Sequence, residues 1–149
     1  MNNKTILAVW HSSSKGKTST LRSAANHLLS AYPNFQPIPG APSVIPTSGD
    51  FRVVVQINGK IVAIESKGDP HTQLFERLED LAKKFKADII LCTTRTRGDT
   101  ITAVETIERD HGYEAIWTST YQVSSVRQSA ANDLKGQHII NLLQSLQIL

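Results

Sequence analysis

A three-layer α/β/α sandwich around a mostly parallel sheet of about five strands is the fold the sequence predicts. Three observations predict it. Short continuous apolar runs, Ile6 to Trp10 and Ile89 to Cys92, have the length and composition of strands buried on both faces. Between such runs stand segments with apolar residues at helical spacing, the alternation that builds a parallel sheet covered by helices. A pair of β-branched runs flanks Asn58-Gly59, the favoured type I′ turn, and adds one antiparallel hairpin.

The elements follow in order. Ile6 to Trp10 reads as the first strand and runs into a small-residue loop, His11 to Thr18. Leu21, Ala24, Ala25, Leu28 and Leu29 then recur on one side of a helix that ends near Tyr32-Pro33. The stretch from Pro33 to Gly49 holds Pro33, Pro37, Pro39, Pro42 and Pro46, and reads as a long irregular surface loop of a length that usually serves function. The hairpin covers Arg52 to Ile57 and Lys60 to Glu65. After the loop Ser66 to Pro70, with Asp69 or His71 as cap, a helix is predicted over about 71–86 on Leu74, Phe75, Leu78, Leu81, Ala82 and Phe85. Ala87 to Thr93 is the next buried strand. A helix from Asp99 or Thr100 to about His111 follows, stopped by Gly112, and Tyr113 to Tyr121 is the last strand. Ser124 or Ser125 opens the final helix, with Val126, Ala130, Leu134, Ile139, Leu142, Leu143 and Leu146 expected inward and Gly136 as an interruption or kink.

Composition bounds the function classes. The 149 residues suit one domain, 1–149, with 40% hydrophobic and 19% charged residues, as in ordinary globular proteins. A formal charge of +3 and a pI near 9.1 fit a phosphate-handling protein, yet no Lys/Arg stripe marks a nucleic-acid surface. Lys83, Lys84 and Lys86 read as the solvated end of a helix. Cys92 is the single cysteine, so no internal disulfide can form, and no zinc-ligand spacing occurs. The apolar stretch after Met1 to Thr5 is too short for a secretory signal or a membrane span, which predicts a cytoplasmic location without membrane contact.

The chemistry concentrates in His11-Ser-Ser-Ser-Lys15-Gly16-Lys17-Thr18, between a strand and a helix. Successive loop amides and the positive end of a helix dipole form an anion site from backbone alone. Ser12, Ser13, Ser14, Lys15, Gly16, Lys17, Thr18 and Ser19 are the expected phosphate contacts. Lys17 supplies a point charge for the β- and γ-phosphates, and the Thr18 hydroxyl is a ligand for Mg²⁺. In the pattern G-x-x-x-x-G-K-[ST] the first glycine is replaced by His11.

In such sheets ligands gather beyond the carboxyl ends of the parallel strands. That rule brings together the loops at 11–18, 65–70, 93–99 and 118–123. Glu65 closes a strand there and is expected near the metal; Asp69, four residues on, is the other candidate acid. Their structural alternatives are an ion pair of Glu65 with Lys60 or Lys67 and a helix cap at Asp69. Arg95 and Arg97 follow the strand ending at Thr93 and suit charge that builds on a transferring phosphoryl group.

On Gly16-Lys17-Thr18 within its strand–loop–helix unit the chain resembles the P-loop nucleoside triphosphatase superfamily, with a degenerate Walker A motif. Strand, loop, helix, long connection, hairpin and acidic loop also look like the first half of small GTP-binding switch proteins. Glu65-Ser66-Lys67-Gly68 stands where those carry D-x-x-G. That likeness implies Gly68 N–H toward the γ-phosphate and Glu65 toward a metal-bound water. No N-K-x-D follows, so guanine specificity is not implied. The expectation is Mg²⁺-dependent binding of ATP, or GTP, with hydrolysis or phosphoryl transfer to a small molecule. The alternative is a nucleotide-dependent switch that presents its loops to a partner protein.

Overall fold

The computed structural model describes residues 4–11, 16–68, 71–96 and 98–149. Its elements are β1 (Lys4–Trp10), α1 (Lys17–Ala31), β2 (Gln36–Pro37), β3 (Arg52–Ile57), β4 (Lys60–Glu65), α2 (Leu74–Lys83), β5 (Ile89–Thr94), α3 (Asp99–His111), β6 (Tyr113–Ser119) and α4 (Ser125–Ser145). The six strands form one sheet in the order β2-β3-β4-β5-β1-β6. Pairings β4–β5, β5–β1 and β1–β6 are parallel, whereas β2–β3 and β3–β4 are antiparallel.

The fold is thus α/β with a mostly parallel mixed sheet, and it has one strand more than the five expected. The addition is β2, a two-residue bridge of Gln36 and Pro37 to Gln56 and Val55 inside the proline-rich connection. Pro37 is tolerated because it lies on an edge strand, where a missing N–H breaks no ladder.

Strand alternation divides the apolar residues between two cores. Leu7, Val9, Ile64 and Leu91 pack with Leu21 and Leu28 of α1 and with Ile139 and Leu143 of α4. Ile6, Ala8, Ala63 and Ile90 pack with Leu78 and Leu81 of α2 and with Val104 and Ile107 of α3. The hairpin turns at Asn58 (φ 51°) and Gly59 (φ 80°), both left-handed as a type I′ turn requires. Asp88, at the far end of β5, accepts from the N–H of Ile61 at 2.8 Å and holds the neighbouring strand.

Three expectations need correction. The second helix is shorter than 71–86, because Gln73 (φ 60°) precedes its first residue and the chain leaves helical geometry by Lys86 (φ 53°). Gly136 does not break α4. It lets α4 lie against α1: a Cβ there would stand 2.6 Å from the backbone nitrogen of Ala24. Finally, Ile139 and Leu143 of α4 face the core, but Val126, Ala130, Leu134, Leu142 and Leu146 are exposed. The inward positions belong instead to Asn132, Gly136 and Ile140, a stripe with a polar residue at its start that apolar periodicity cannot reveal.

Among the described residues no helix is long and apolar enough to cross a membrane.

Candidate anion-binding site at the carboxyl edge of the sheet

β1 lies between β5 and β6, and their parallel register brings Trp10 level with Thr94 and Ser119. Chain direction therefore delivers residue 11 and the start of α1 to the edge where three strands end. Ser12, Ser13, Ser14 and Lys15 lie outside the described residues, as do Asp69 and Arg97. The site is built from what surrounds them.

α1 opens at Gly16, in the left-handed region at φ 78°, and has no acidic residue in its first turn. Gly16 itself has no side chain to cap the leading amides, whose N–H groups form the positive end of the helix dipole. A Cβ on Gly16 would meet the Asn132 amide at 2.5 Å, so glycine is required by sterics as well as by φ. Helix α4 thereby sits directly on the entrance to α1.

Lys17 is 7% exposed, and its Nζ donates to the carbonyls of Thr94 at 3.0 Å and His11 at 3.3 Å. The ammonium is held where β5 and β1 end, at the mouth of α1. His11 is itself buried; its N–H donates to Thr94 O at 3.2 Å and its ring meets the side-chain amide of Gln122. His11 thus ties the end of β1 to the segment after β6.

Thr18 donates its hydroxyl proton to Asp50 Oδ1 at 3.0 Å. Ser66 Oγ donates to the same oxygen at 3.2 Å and accepts from the N–H of Phe51 at 2.7 Å. Asp50 reaches this edge because β3 runs antiparallel, with Arg52 opposite Glu65. Sequence reasoning missed it. The usable signal was its position immediately before a strand whose antiparallel partner, β4, ends at the carboxyl edge of the sheet.

Glu65, expected at the metal, has its carboxylate elsewhere. Oε1 accepts from Arg52 Nε at 2.7 Å, and Oε2 lies 3.6 Å from Arg77 Nε. Arg52 also bonds Asp80 at 2.7 Å, while Arg77 donates to the carbonyl of Lys67. The anticipated lysine partners are replaced by arginines of β3 and α2, and the group is 4% exposed. By alternation Glu65 shares the face of Ala63, the α2 side, opposite to α1. Moreover β5 intervenes between β4 and β1, so the two strands are about 10 Å apart.

Gly68 packs against the end of β5, where a Cβ would fall 1.8 Å from the carbonyl oxygen of Thr93. Thr93 Oγ1 in turn donates to Ser66 O at 2.6 Å. The loop after β4 is therefore clamped over β5. Arg95 follows, its N–H bonded to Thr100 Oγ1 at 3.0 Å, which fixes the turn into α3. Ser19 lines a cleft between α1 and α4. Cys92 is buried, and burial pushes its thiol well above the ordinary range, consistent with a small core residue.

The hydroxyls of Thr20, Thr94 and Thr120 are buried with no hydrogen-bond partner among the described residues. They lie in the first turn of α1 and at the ends of β5 and β6, around the same edge. Among the described residues, no group of three or more His, Cys, Asp or Glu side chains is placed to hold a metal ion. Any cation here would need oxygens from a ligand as well. The chain matches no protein-family model, no curated protein and no solved structure.

Proposed function

We propose that the protein binds a magnesium–nucleoside triphosphate, ATP by preference, in a P-loop-like cradle at 11–19, and that it hydrolyses the triphosphate or transfers its terminal phosphoryl group. The observation that carries this reading is the Thr18–Asp50 hydrogen bond in the first turn of α1, a helix that opens on glycine. A hydroxyl that donates its proton to a carboxylate keeps its oxygen lone pairs for a cation. Mg²⁺ is commonly held by one or two protein oxygens together with phosphate oxygens and waters. Thr18 and Asp50 are the residues that would hold it, and the ion would neutralise phosphate charge.

Lys17, close to the same helix end, supplies a charge for the polyphosphate. The two cores, one with α1 and α4 and the other with α2 and α3, support a three-layer arrangement like that expected of the P-loop superfamily. Asp50 takes the acidic role first given to Glu65. Arg95, and Arg97 beyond the described residues, remain the candidates for stabilising transferring charge. A cytoplasmic setting suits such a ligand.

A second reading, a nucleotide-dependent switch acting on a partner protein, rests on one specific observation. Arg22 of α1 donates to the carbonyls of Pro46 (2.9 Å) and Gly49 (2.6 Å), so the long proline-rich connection is fastened to the helix that begins at the cradle.

Thermal unfolding with ATP, GTP, ADP and Mg²⁺, on the intact chain and on Lys17→Ala, tests the main reading. Mg²⁺–ATP should raise the midpoint of the intact chain, since ligand at 100 times Kd adds about 2.7 kcal/mol. Lys17→Ala should nearly abolish the rise. Equal midpoints with and without nucleotide would overturn the assignment. Release of phosphate from ATP, with and without candidate acceptors, then separates turnover from switching.

A further inference from the structure

The cleft between α1 and α4 has a volume of about 480 Å³ and begins at Ser19, the residue after Thr18. Ligand sites of small-molecule size run from roughly 300 to 1,000 Å³. Gln128 and Asn132 of α4 stand on its opposite wall. Asn132 is 7% exposed and reaches the backbone of Gly16, so this wall borders the phosphate cradle. Gln128 Nε2 donates to Asn132 Oδ1 at 2.7 Å and to the carbonyl of Tyr121 at 3.3 Å.

Both Nε2 hydrogens of Gln128 are thus engaged. Among the described residues the pair still offers an acceptor, Gln128 Oε1, and an amide donor group, Asn132 Nδ2. An acceptor for the N6 amino group and a donor for N7 are what adenine requires. Guanine presents two acceptors, O6 and N7, on the same edge, and its N1–H and amino group on the other call for a carboxylate. The carboxylate of this cleft, Asp133, is held by Ser23 at 2.8 Å and His27 at 3.3 Å through Oδ1.

We infer that the nucleoside end of the ligand lies in this α1–α4 cleft and that Gln128 with Asn132 reads an adenine there. The inference rests on the assignment of 11–19 as the phosphate site. It adds the direction in which the nucleotide extends and the side chains that set its base.

Calorimetric titration of the full chain with ATP, GTP and inorganic tripolyphosphate, each with Mg²⁺, tests it, repeated on Gln128→Ala. ATP should bind the unaltered chain about tenfold or more tighter than tripolyphosphate, and tighter than GTP, a difference of at least ~1.4 kcal/mol. Gln128→Ala should reduce ATP affinity to near that of tripolyphosphate and leave tripolyphosphate binding unchanged. Equal affinities for ATP and tripolyphosphate in the unaltered chain, or an ATP preference that survives Gln128→Ala, would overturn the base site while the phosphate site stands. Failure of all three ligands to bind would remove the phosphate site and this inference with it.

Discussion

Thr18 and Asp50 lie 32 positions apart and share a hydrogen bond of 3.0 Å between the first turn of α1 and the residue that leads into β3. The bond links the start of α1 to the end of the proline-rich connection, and Ser66 joins from the loop after β4. Asp50→Asn keeps the shape but removes the charge a cation needs. It should leave Mg²⁺-free ATP binding unchanged and lower the affinity gained on adding Mg²⁺ by about tenfold, some 1.4 kcal/mol. Titrations with Mg²⁺ and with a chelator measure the difference. Glu65→Gln is the contrast: it should retain the Mg²⁺ gain and cost roughly 3 kcal/mol of stability, because it leaves arginines beside an uncharged group.

Gly136→Ala separates two roles for one residue. Were Gly136 a helix position and nothing more, alanine would stabilise α4 by about 1 kcal/mol. A Cβ there would press on Ser23 Oγ at 2.4 Å and Ala24 N at 2.6 Å, and the second of these cannot rotate away. Overpacking of this kind costs about 2–3 kcal/mol. Urea denaturation should show the midpoint falling; a rise would refute the close contact.

Arg22→Ala should loosen the proline-rich connection, since Arg22 holds the carbonyls of Pro46 and Gly49. Val44 is 79% exposed within that stretch and suits thermolysin. Cleavage there should quicken severalfold under native conditions, as expected when local opening becomes easier by ~1 kcal/mol. If ATP slows cleavage of the unaltered chain more than ADP does, the switch reading gains; identical rates count against it.

Tyr113 gives a pH dependence. Its hydroxyl is buried and donates to the carbonyl of Ala87, and burial, with the charge of Asp88 adding to it, pushes the phenol up to about 12. A phenol whose folded pKa lies above its unfolded value near 10 contributes stability that is whole below pH 10. That contribution is lost as pH rises toward about 12, where the unfolded chain sheds the proton first. Tyr113→Phe should be less stable by roughly 1 kcal/mol at neutral pH and lose less stability than the parent between pH 10 and 12, read by denaturant unfolding across that range.

Much of the architecture was legible because its signals are local. The Asn58-Gly59 turn, the Gly112 stop of α3 and the two-face burial of β1 and β5 each follow from a few adjacent residues. What stayed hidden depends on distant partners. Glu65 finds Arg52 across the hairpin and Arg77 on α2, and no spacing rule announces a pair set by strand register and helix placement. Asp50 reads as loop until the antiparallel sense of β3 carries it to the carboxyl edge of the sheet. The apolar residues of α4 misled for a similar reason: Val126 and Leu134 suggest a core stripe, but the contact with α1 is made by Asn132 and Gly136.

The two glycines at the α1–α4 contact have a mechanical consequence. Gly16 admits Asn132 at the start of α1, and Gly136 brings α4 against Ser23 and Ala24 about two turns further along. Pinned at both places with no side chain as spacer, the two helices must tilt or shift as one rod. The connection into β3, fastened to α1 through Arg22 and Thr18, then follows that rod.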